Sequence, residues 1–129
     1  MKNIPSPGDS RTFKRIVTES DQAIFHGELV HPVCSTFALA RDFEWSSRLF
    51  FLEMKEDHEE GVGTLLQIDH HLPAFVGDEI VFTATVEKME RNELICLITA
   101  RVRERLVASG KTGQKMLTKE QLKKVFTKP

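Results

Sequence analysis

Two adjacent histidines stand in the segment LLQIDHHLPAFVGD (65–78), where they are the residues best suited to proton transfer. Neighbouring residues of a β-strand point to opposite faces of a sheet, so only one histidine can face the interior. The residues that share a face with His70 are apolar: Leu66, Ile68 and Leu72. His71 shares its face with the polar residues Gln67 and Asp69. The alternation therefore predicts that His70 faces the core and His71 faces away.

A second group of reactive side chains lies in TFALARDFEWSSRLFFLEMK (36–55), which contains no Gly or Pro and is predicted to be a long helix. Thr36, Ala40 and Glu44 are spaced by four residues and form one stripe on it. Because the apolar positions cover more than half of the helix, we expect it to be buried on most sides. A buried carboxylate is costly unless it is paired. We therefore expect Glu44 to pair with His70, an arrangement suited to proton transfer.

Simpler interpretations of these residues stay open. His70 could be a core histidine bonded to a backbone carbonyl, and Glu44 could reach solvent. His26 and His31 have no carboxylate or cysteine at a spacing suited to a metal. Cys34 precedes the helix, where a thiol pKa can fall, but a small buried residue is the favoured interpretation.

The remaining segments predict the elements that position these residues. Residues 1–10 are expected to form a loose arm, 11–19 a first strand and 20–34 a long loop, and Ser35 or Thr36 is the expected N-cap of the helix. Four strands follow as a meander, beginning at Gly63 and continuing through 80–86, 94–102 and 105–117, with a hairpin turn at 90–93. Residues 118–129 are expected to form a short helix or tail. An α+β domain of about five antiparallel strands wrapped around one central helix is the hot-dog fold.

The composition limits the range of functions. The 129 residues suit one domain, and 18 basic against 19 acidic residues favour neither nucleic acid nor a membrane surface as a partner. No signal-peptide or membrane-spanning pattern occurs, and the two cysteines, Cys34 and Cys96, form no metal or disulfide pattern. We expect a cytoplasmic protein with no metal and no cofactor.

Over residues 11–117 the chain resembles the fluoroacetyl-CoA thioesterase-like family of hot-dog proteins. The similarity lies in STFALARDFEW (35–45), GVGTLLQIDHHLPAFVGDEIVFTATV (61–86) and VASGKTGQK (107–115). It implies that Thr36, Glu44 and His70 form a catalytic set and that an acyl-CoA is the substrate. It also implies a homodimer, or a dimer of such dimers, that binds coenzyme A near its interface. The family's specialised member has two lid phenylalanines where this chain has Gly27 and Val30, and an arginine where it has Gln114. These differences argue against fluoroacetyl-CoA as the substrate.

The leading hypothesis is an acyl-CoA thioesterase that hydrolyses a small acyl-CoA to the free acid and CoA. Backbone N–H groups, that of Gly63 among them, would stabilise the oxyanion. A non-catalytic acyl-CoA-binding hot-dog module and a hot-dog hydratase or dehydratase are the alternatives, because fold alone does not fix function.

Overall fold

The computed structural model describes residues 1–129. Two helices, α1 (Thr36–Met54) and α2 (Lys119–Val125), and a 3₁₀ turn at Glu19–Asp21 accompany seven strands. The strands are β1 (Ser10–Ile16), β2 (Gln22–Phe25), β3 (Glu28–Cys34), β4 (Glu59–His70), β5 (Glu79–Glu90), β6 (Glu93–Val102) and β7 (Arg105–Thr118). No helix is long and apolar enough to cross a membrane.

Five strands form one antiparallel sheet in the order β1-β5-β6-β7-β4, and α1 packs against it. This is the hot-dog fold that the sequence predicted. The hairpin at 90–93 and the C-terminal helix were also predicted correctly. The expected four-strand meander is wrong, because β4 pairs with β7 and is separated from β5 by two strands, β6 and β7. The eight residues between β4 and β5 are too many for a tight hairpin, and they carry the chain across the end of the sheet.

Residues 20–34 are not the long loop that was predicted. They contain the 3₁₀ turn and then a two-stranded hairpin, β2–β3, that stands apart from the main sheet. His26 and Gly27, with φ of 52° and 79°, make its tight turn, which suits a two-residue hairpin connection. The hairpin was missed because most of β3 is exposed on both faces, so its residues show no two-residue hydrophobic alternation.

Helix α1 begins after Ser35, whose hydroxyl accepts a hydrogen bond from the Ala38 N–H at 3.0 Å. One side of the helix is fully buried against the sheet, with Leu39, Phe43 and Phe50 at its centre. The other side is open: Phe37 is 79% exposed and Trp45 is 40% exposed. The prediction of a helix buried on most sides is therefore wrong for the single protomer. A large apolar area of α1 remains available for a partner.

Two further features show close contact, one between the N-terminal arm and the end of α1 and one between β7 and β4. The N-terminal arm has no regular structure, but it is not loose, because the Lys2 N–H donates to the Met54 carbonyl at 2.8 Å. Strand β7 lies so close to β4 that a Cβ on Gly110 would overlap the Gln67 carbonyl, so this position requires glycine.

Candidate active site

The first part of the candidate site is a pair formed by Thr36 and His70. Thr36 is the first residue of α1 and His70 is the last residue of β4, and Thr36 Oγ1 lies 2.9 Å from His70 Nδ1. His71 points the other way and places Nε2 2.8 Å from Ser109 Oγ on β7. The predicted orientation of the two histidines is thus confirmed. His70 is exposed in the protomer, however, and is not a core histidine.

The Thr36–His70 pair lies at the N-terminus of a 19-residue helix. The first N–H groups of a helix have no acceptor inside it, and the helix dipole makes this end partially positive. A hydroxyl bonded to an imidazole can pass a proton, and the nearby N–H groups can stabilise a developing oxyanion. The pair therefore has the parts needed for chemistry at a carbonyl group.

The second part of the site is formed by Glu44 and Gly63. A Cβ placed on Gly63 would lie 3.2 Å from Glu44 Oε1, so the carboxylate lies directly over this glycine. The β4–β7 register shifts between Gly63 and Leu65, which marks a bulge. Bulges interrupt strand pairing and often lie beside active sites. The carboxylate thus faces an irregular stretch of backbone.

The expected Glu44–His70 pair does not form within the protomer. Glu44 is exposed, and His70 is hydrogen-bonded through Nδ1 to Thr36 instead of to Glu44. The physical reason is the helix rise: eight residues place Glu44 roughly 12 Å along the axis from Thr36. Helix α1 and strand β4 run in opposite directions, so Glu44 reaches the Gly63 region while Thr36 reaches His70. The three predicted catalytic residues therefore lie in two separate places on one open face.

A cleft of about 500 Å³ lies beside Glu44. Its lining is Phe13, Arg15, Arg41, Asp42, Glu44, Trp45, Arg48, Gly61, Gly63 and Gln114. The arginines were not singled out from the sequence, although a signal was present. Arg41, Glu44 and Arg48 are spaced by three and four residues, which puts them on one face of the helix.

Charged networks border the cleft at both ends. The buried Asp42 forms an ion pair with Arg15, whose Nε lies 2.8 Å from the carboxylate, and accepts a hydrogen bond from Arg41 Nη2 at 3.0 Å. Arg41 also donates to Asp21 at 3.1 Å. Burial raises the pKa of Asp21, but hydrogen bonds from Thr18 and Arg41 outweigh it and the pKa lies below its ordinary value. Asp21 therefore stays ionised at neutral pH and ties the 3₁₀ turn to the helix.

At the other end of the cleft, Glu60 accepts Lys55 Nζ at 2.8 Å and Arg48 Nη2 at 3.0 Å. The hydrogen bond from Lys55, aided by the Gly61 N–H and Arg48, lowers the pKa of Glu60 to about 2 against the cost of desolvation. This carboxylate fixes the position of Arg48, which lies one turn beyond Glu44 on α1.

His26, His31 and Cys34, the other reactive residues considered from the sequence, have no part in this arrangement. His26 and His31 lie on the exposed hairpin, and no group of three or more His, Cys, Asp or Glu side chains is arranged to hold a metal ion. Burial raises the pKa of the Cys34 thiol to about 11, the opposite of an activated cysteine. Gln114 is buried in the cleft wall, where its Nε2 donates to Ser47 Oγ at 2.8 Å.

The sheet wrapped on one face of α1 places the protein among the hot-dog proteins, and solved structures agree. A Thermus thermophilus protein described as a thioesterase superfamily member superposes with a TM-score of 0.91 at 29% identity, covering 98% of this chain and 93% of its own. The fluoroacetyl-CoA thioesterase FlK gives 0.87 at 18% identity over 98% of this chain and 100% of its own. A hot-dog-like protein from Thermanaerovibrio acidaminovorans gives 0.85 at 21% identity, covering 95% and 94% of the two chains.

A comparison of the sequence with family models shows which family the chain belongs to. A family model described as fluoroacetyl-CoA-specific thioesterase matches residues 17–120, which is most of the chain. The chain therefore belongs to this thioesterase family, and its enzyme class is thioester hydrolase. None of the curated proteins matches the sequence.

Proposed function

We propose that the protein hydrolyses a small acyl-CoA to the free acid and CoA, using Thr36, Glu44 and His70. The observation that carries this proposal is the 2.9 Å hydrogen bond between Thr36 Oγ1 and His70 Nδ1 at the N-terminus of α1. Structures of FlK variants with acetyl-CoA, or with fluoroacetate and CoA, support an acyl-CoA as the class of substrate. Because Gly27, Val30 and Gln114 differ from the pattern of the fluoroacetyl-CoA enzyme, an acyl group other than fluoroacetyl is proposed.

We further propose that the active unit is a homodimer joined along β4. This strand is 12 residues long and lies at the edge of the sheet, so one side of its backbone lacks a strand partner. Such an edge is a site for pairing with another chain. The exposed apolar residues nearby, Leu66 at 41% and Trp45 at 40%, add surface that association would bury.

An antiparallel pairing of two β4 edges explains how the separated catalytic residues could meet. It directs the Gly63 end of one protomer towards the His70 end of the other. Glu44 of one protomer and the Thr36–His70 pair of the second would then lie on the two sides of one thioester. Each dimer would contain two such sites, related by the twofold axis.

In this mechanism Glu44 acts on the thioester carbonyl, either as the general base for water or as the nucleophile that forms a transient anhydride. His70 protonates the departing thiolate of CoA, and Thr36 orients the imidazole through its hydrogen bond. Backbone N–H groups, including that of Gly63, stabilise the oxyanion, and one such donor is typically worth about 3 kcal/mol. Appearance of ¹⁸O in Glu44 after a single turnover in ¹⁸O-labelled water would establish the anhydride route, because water that attacks the Glu44 carbonyl of the anhydride leaves its oxygen there, whereas general-base hydrolysis labels only the product acid.

The test of the proposal is the variant Glu44→Gln, assayed with a panel of acyl-CoAs and a thiol-detecting dye. The change keeps the volume and removes the charge, so hydrolysis should fall at least about a hundredfold. Substrate binding should change much less, since the carboxylate acts on the transition state. The matched control is Glu104→Gln, an exposed glutamate in the β6–β7 turn, which should keep full activity.

The same acyl-CoA assays also distinguish hydrolysis from the two alternative functions, a binding module and a hydratase. Binding of acyl-CoA without CoA release from the parent protein would indicate a binding module, and hydration of an enoyl-CoA would indicate a hydratase. A fully active Glu44→Gln protein would contradict the mechanism proposed here.

A further inference from the structure

Gln114 is a buried polar residue of the cleft that takes no part in the ion pairs around it. It lies on β7, is 7% exposed and lines the cleft together with Glu44. Its Nε2 donates to Ser47 Oγ at 2.8 Å, and the Ser47 hydroxyl donates in turn to the Glu44 carbonyl at 3.1 Å. Because the single hydroxyl proton of Ser47 is used in this way, Ser47 can only accept from Gln114. This fixes the side-chain amide with its nitrogen towards the helix.

The fixed amide leaves the Gln114 oxygen directed away from Ser47. Oε1 has no hydrogen-bond partner in the protomer, and it is not sealed from solvent, since the sealed side-chain atoms without a hydrogen bond are Arg15 Nε and Thr112 Oγ1. Because Gln114 lines the cleft, the open space that Oε1 meets is the cleft itself. A nearly buried residue thus presents one free acceptor, held from behind by Ser47, and such a group is stabilised by a donor that enters the cleft.

Gly63 brings this acceptor next to the Glu44 carboxylate. Gly63 and Gln114 are directly opposite each other in the antiparallel β4–β7 pair, so their side-chain positions lie on the same face, about 5 Å apart. Glu44 Oε1 lies 3.2 Å from the position that a Cβ on Gly63 would take. The carboxylate and the Gln114 side chain therefore flank the space that the glycine leaves open. Both groups are acceptors, and water is the smallest molecule with two hydrogens that can bridge them.

We propose that Gln114 and Glu44 hold the hydrolytic water between them, so that Gln114 Oε1 orients the molecule that Glu44 deprotonates. This inference rests on the proposed thioesterase function and assigns Glu44 the role of general base. The water donates one hydrogen to each acceptor, and a lone pair of its oxygen is then free to attack the thioester carbonyl. Without an acceptor at position 114 the water would rotate freely, and the orientation that speeds the attack would be lost.

One water molecule is consumed in each turnover. The proton that it shares with Glu44 passes to the carboxylate as the water oxygen bonds to the carbonyl carbon, while the O–H bond directed at Gln114 stays intact. The C–S bond then breaks, and the thiolate of CoA takes a proton from His70. The products are the free acid and CoA, and Glu44 returns its proton to His70 through solvent.

The experiment compares water with hydroxylamine as the acceptor of the acyl group. Gln114→Met nearly keeps the volume and removes the oxygen, so kcat for hydrolysis should fall at least about tenfold while KM changes less than about twofold. Hydroxylamine is a stronger nucleophile that reacts without being held between two acceptors, so hydroxamate formation on the enzyme should fall much less. The ratio of hydroxamate to free acid, corrected for the reaction without enzyme, should therefore rise at least about fivefold.

Two further variants complete the comparison. Ser47→Ala keeps the Gln114 oxygen but removes the anchor of its amide, so the same ratio should rise less, by about twofold. Gln67→Met is the matched control, because Gln67 is an exposed glutamine on the other face of β4, and it should leave kcat and the ratio unchanged. Circular dichroism verifies the folding of each variant, and Ser47→Ala decides the question if Gln114→Met does not fold.

Three results would overturn the inference and leave the thioesterase function standing. Hydrolysis at the parental rate in a folded Gln114→Met protein would show that the Gln114 oxygen does not hold the water. Equal falls in hydrolysis and hydroxamate formation would mean that Gln114 supports the structure or contacts the acyl group. Appearance of ¹⁸O in Glu44 of the parent protein after a turnover in labelled water would assign the attack to the carboxylate itself. If the parent hydrolyses no acyl-CoA in the panel, the proposed function fails and the inference fails with it.

Discussion

The two ends of the open face of α1 differ in chemistry although one helix and one strand build both. At the N-terminal end, Thr36 and His70 form a hydrogen-bonded pair at the partially positive start of the helix. Two turns further on, Glu44 lies over Gly63 among arginines and has no hydrogen bond to the first pair. One end thus suits proton transfer and oxyanion stabilisation, and the other supplies a carboxylate. A single protomer therefore holds the three proposed catalytic residues in two separate places.

The largest expected effect comes from removing the imidazole at the first end. His70→Ala should lower thioester hydrolysis at least about a hundredfold, the lower range for general acid–base catalysis. His71→Ala should keep most of the activity, because its ring contacts Ser109 on the far side of the sheet. Steady-state rates of both variants, with circular dichroism to verify folding, check this. Equal losses of activity in folded His70→Ala and His71→Ala proteins would show that His70 has no special role in catalysis.

A second experiment asks whether the two ends act across a dimer. Glu44→Gln and His70→Ala proteins should each be nearly inactive, but a mixed dimer would contain one site with both native residues. Unfolding and refolding the two together in equal amounts should therefore return about a quarter of the parent activity, because half of the dimers are mixed and each has one intact site of two. If the mixture stays as inactive as its components while mass spectrometry shows mixed dimers, each site belongs to a single chain.

Features that depend on neighbouring residues could be predicted from the sequence, whereas features that depend on contacts distant in sequence could not. Local periodicity and capping predicted an N-cap at Ser35 or Thr36, the orientation of His70 and His71, and the hairpin at 90–93. The structure places the N-cap at Ser35 and agrees with the other two predictions. The pairing of β4 with β7 was missed because strand order depends on contacts distant in sequence. Glu44 was expected to be buried because its neighbours are apolar, but apolar residues on the outer side of α1 are exposed in the protomer.

A substitution at the second end should give a smaller effect and show whether the position of the Glu44 carboxylate matters. The added methyl group of Gly63→Ala would lie 3.2 Å from Glu44 Oε1, so the carboxylate must move by a few tenths of an ångström. We expect kcat to fall about three- to tenfold with little change in KM, since small displacements of catalytic groups are costly. When Gly63→Ala is combined with Glu44→Gln, it should lower kcat almost no further than Glu44→Gln alone does. Additive losses would indicate that Gly63 acts independently of Glu44.

The smallest expected effect is a pH dependence of stability that belongs to the second end alone. Because the pKa of Glu60 is lowered to about 2 from an ordinary value of 4.5, its ion pairs stabilise the fold fully above pH 4.5. This contribution is lost as the pH falls from 4.5 towards 2. Glu60→Gln should therefore lower the Tm by a few degrees at pH 7, because about 1 kcal/mol shifts the Tm of a domain of this size by ~3–5 °C. The difference from the parent should shrink through this window in a calorimetric pH series. A difference that stays constant down to pH 2 would mean that the glutamine acts through packing and that Arg48 is not held by this charge.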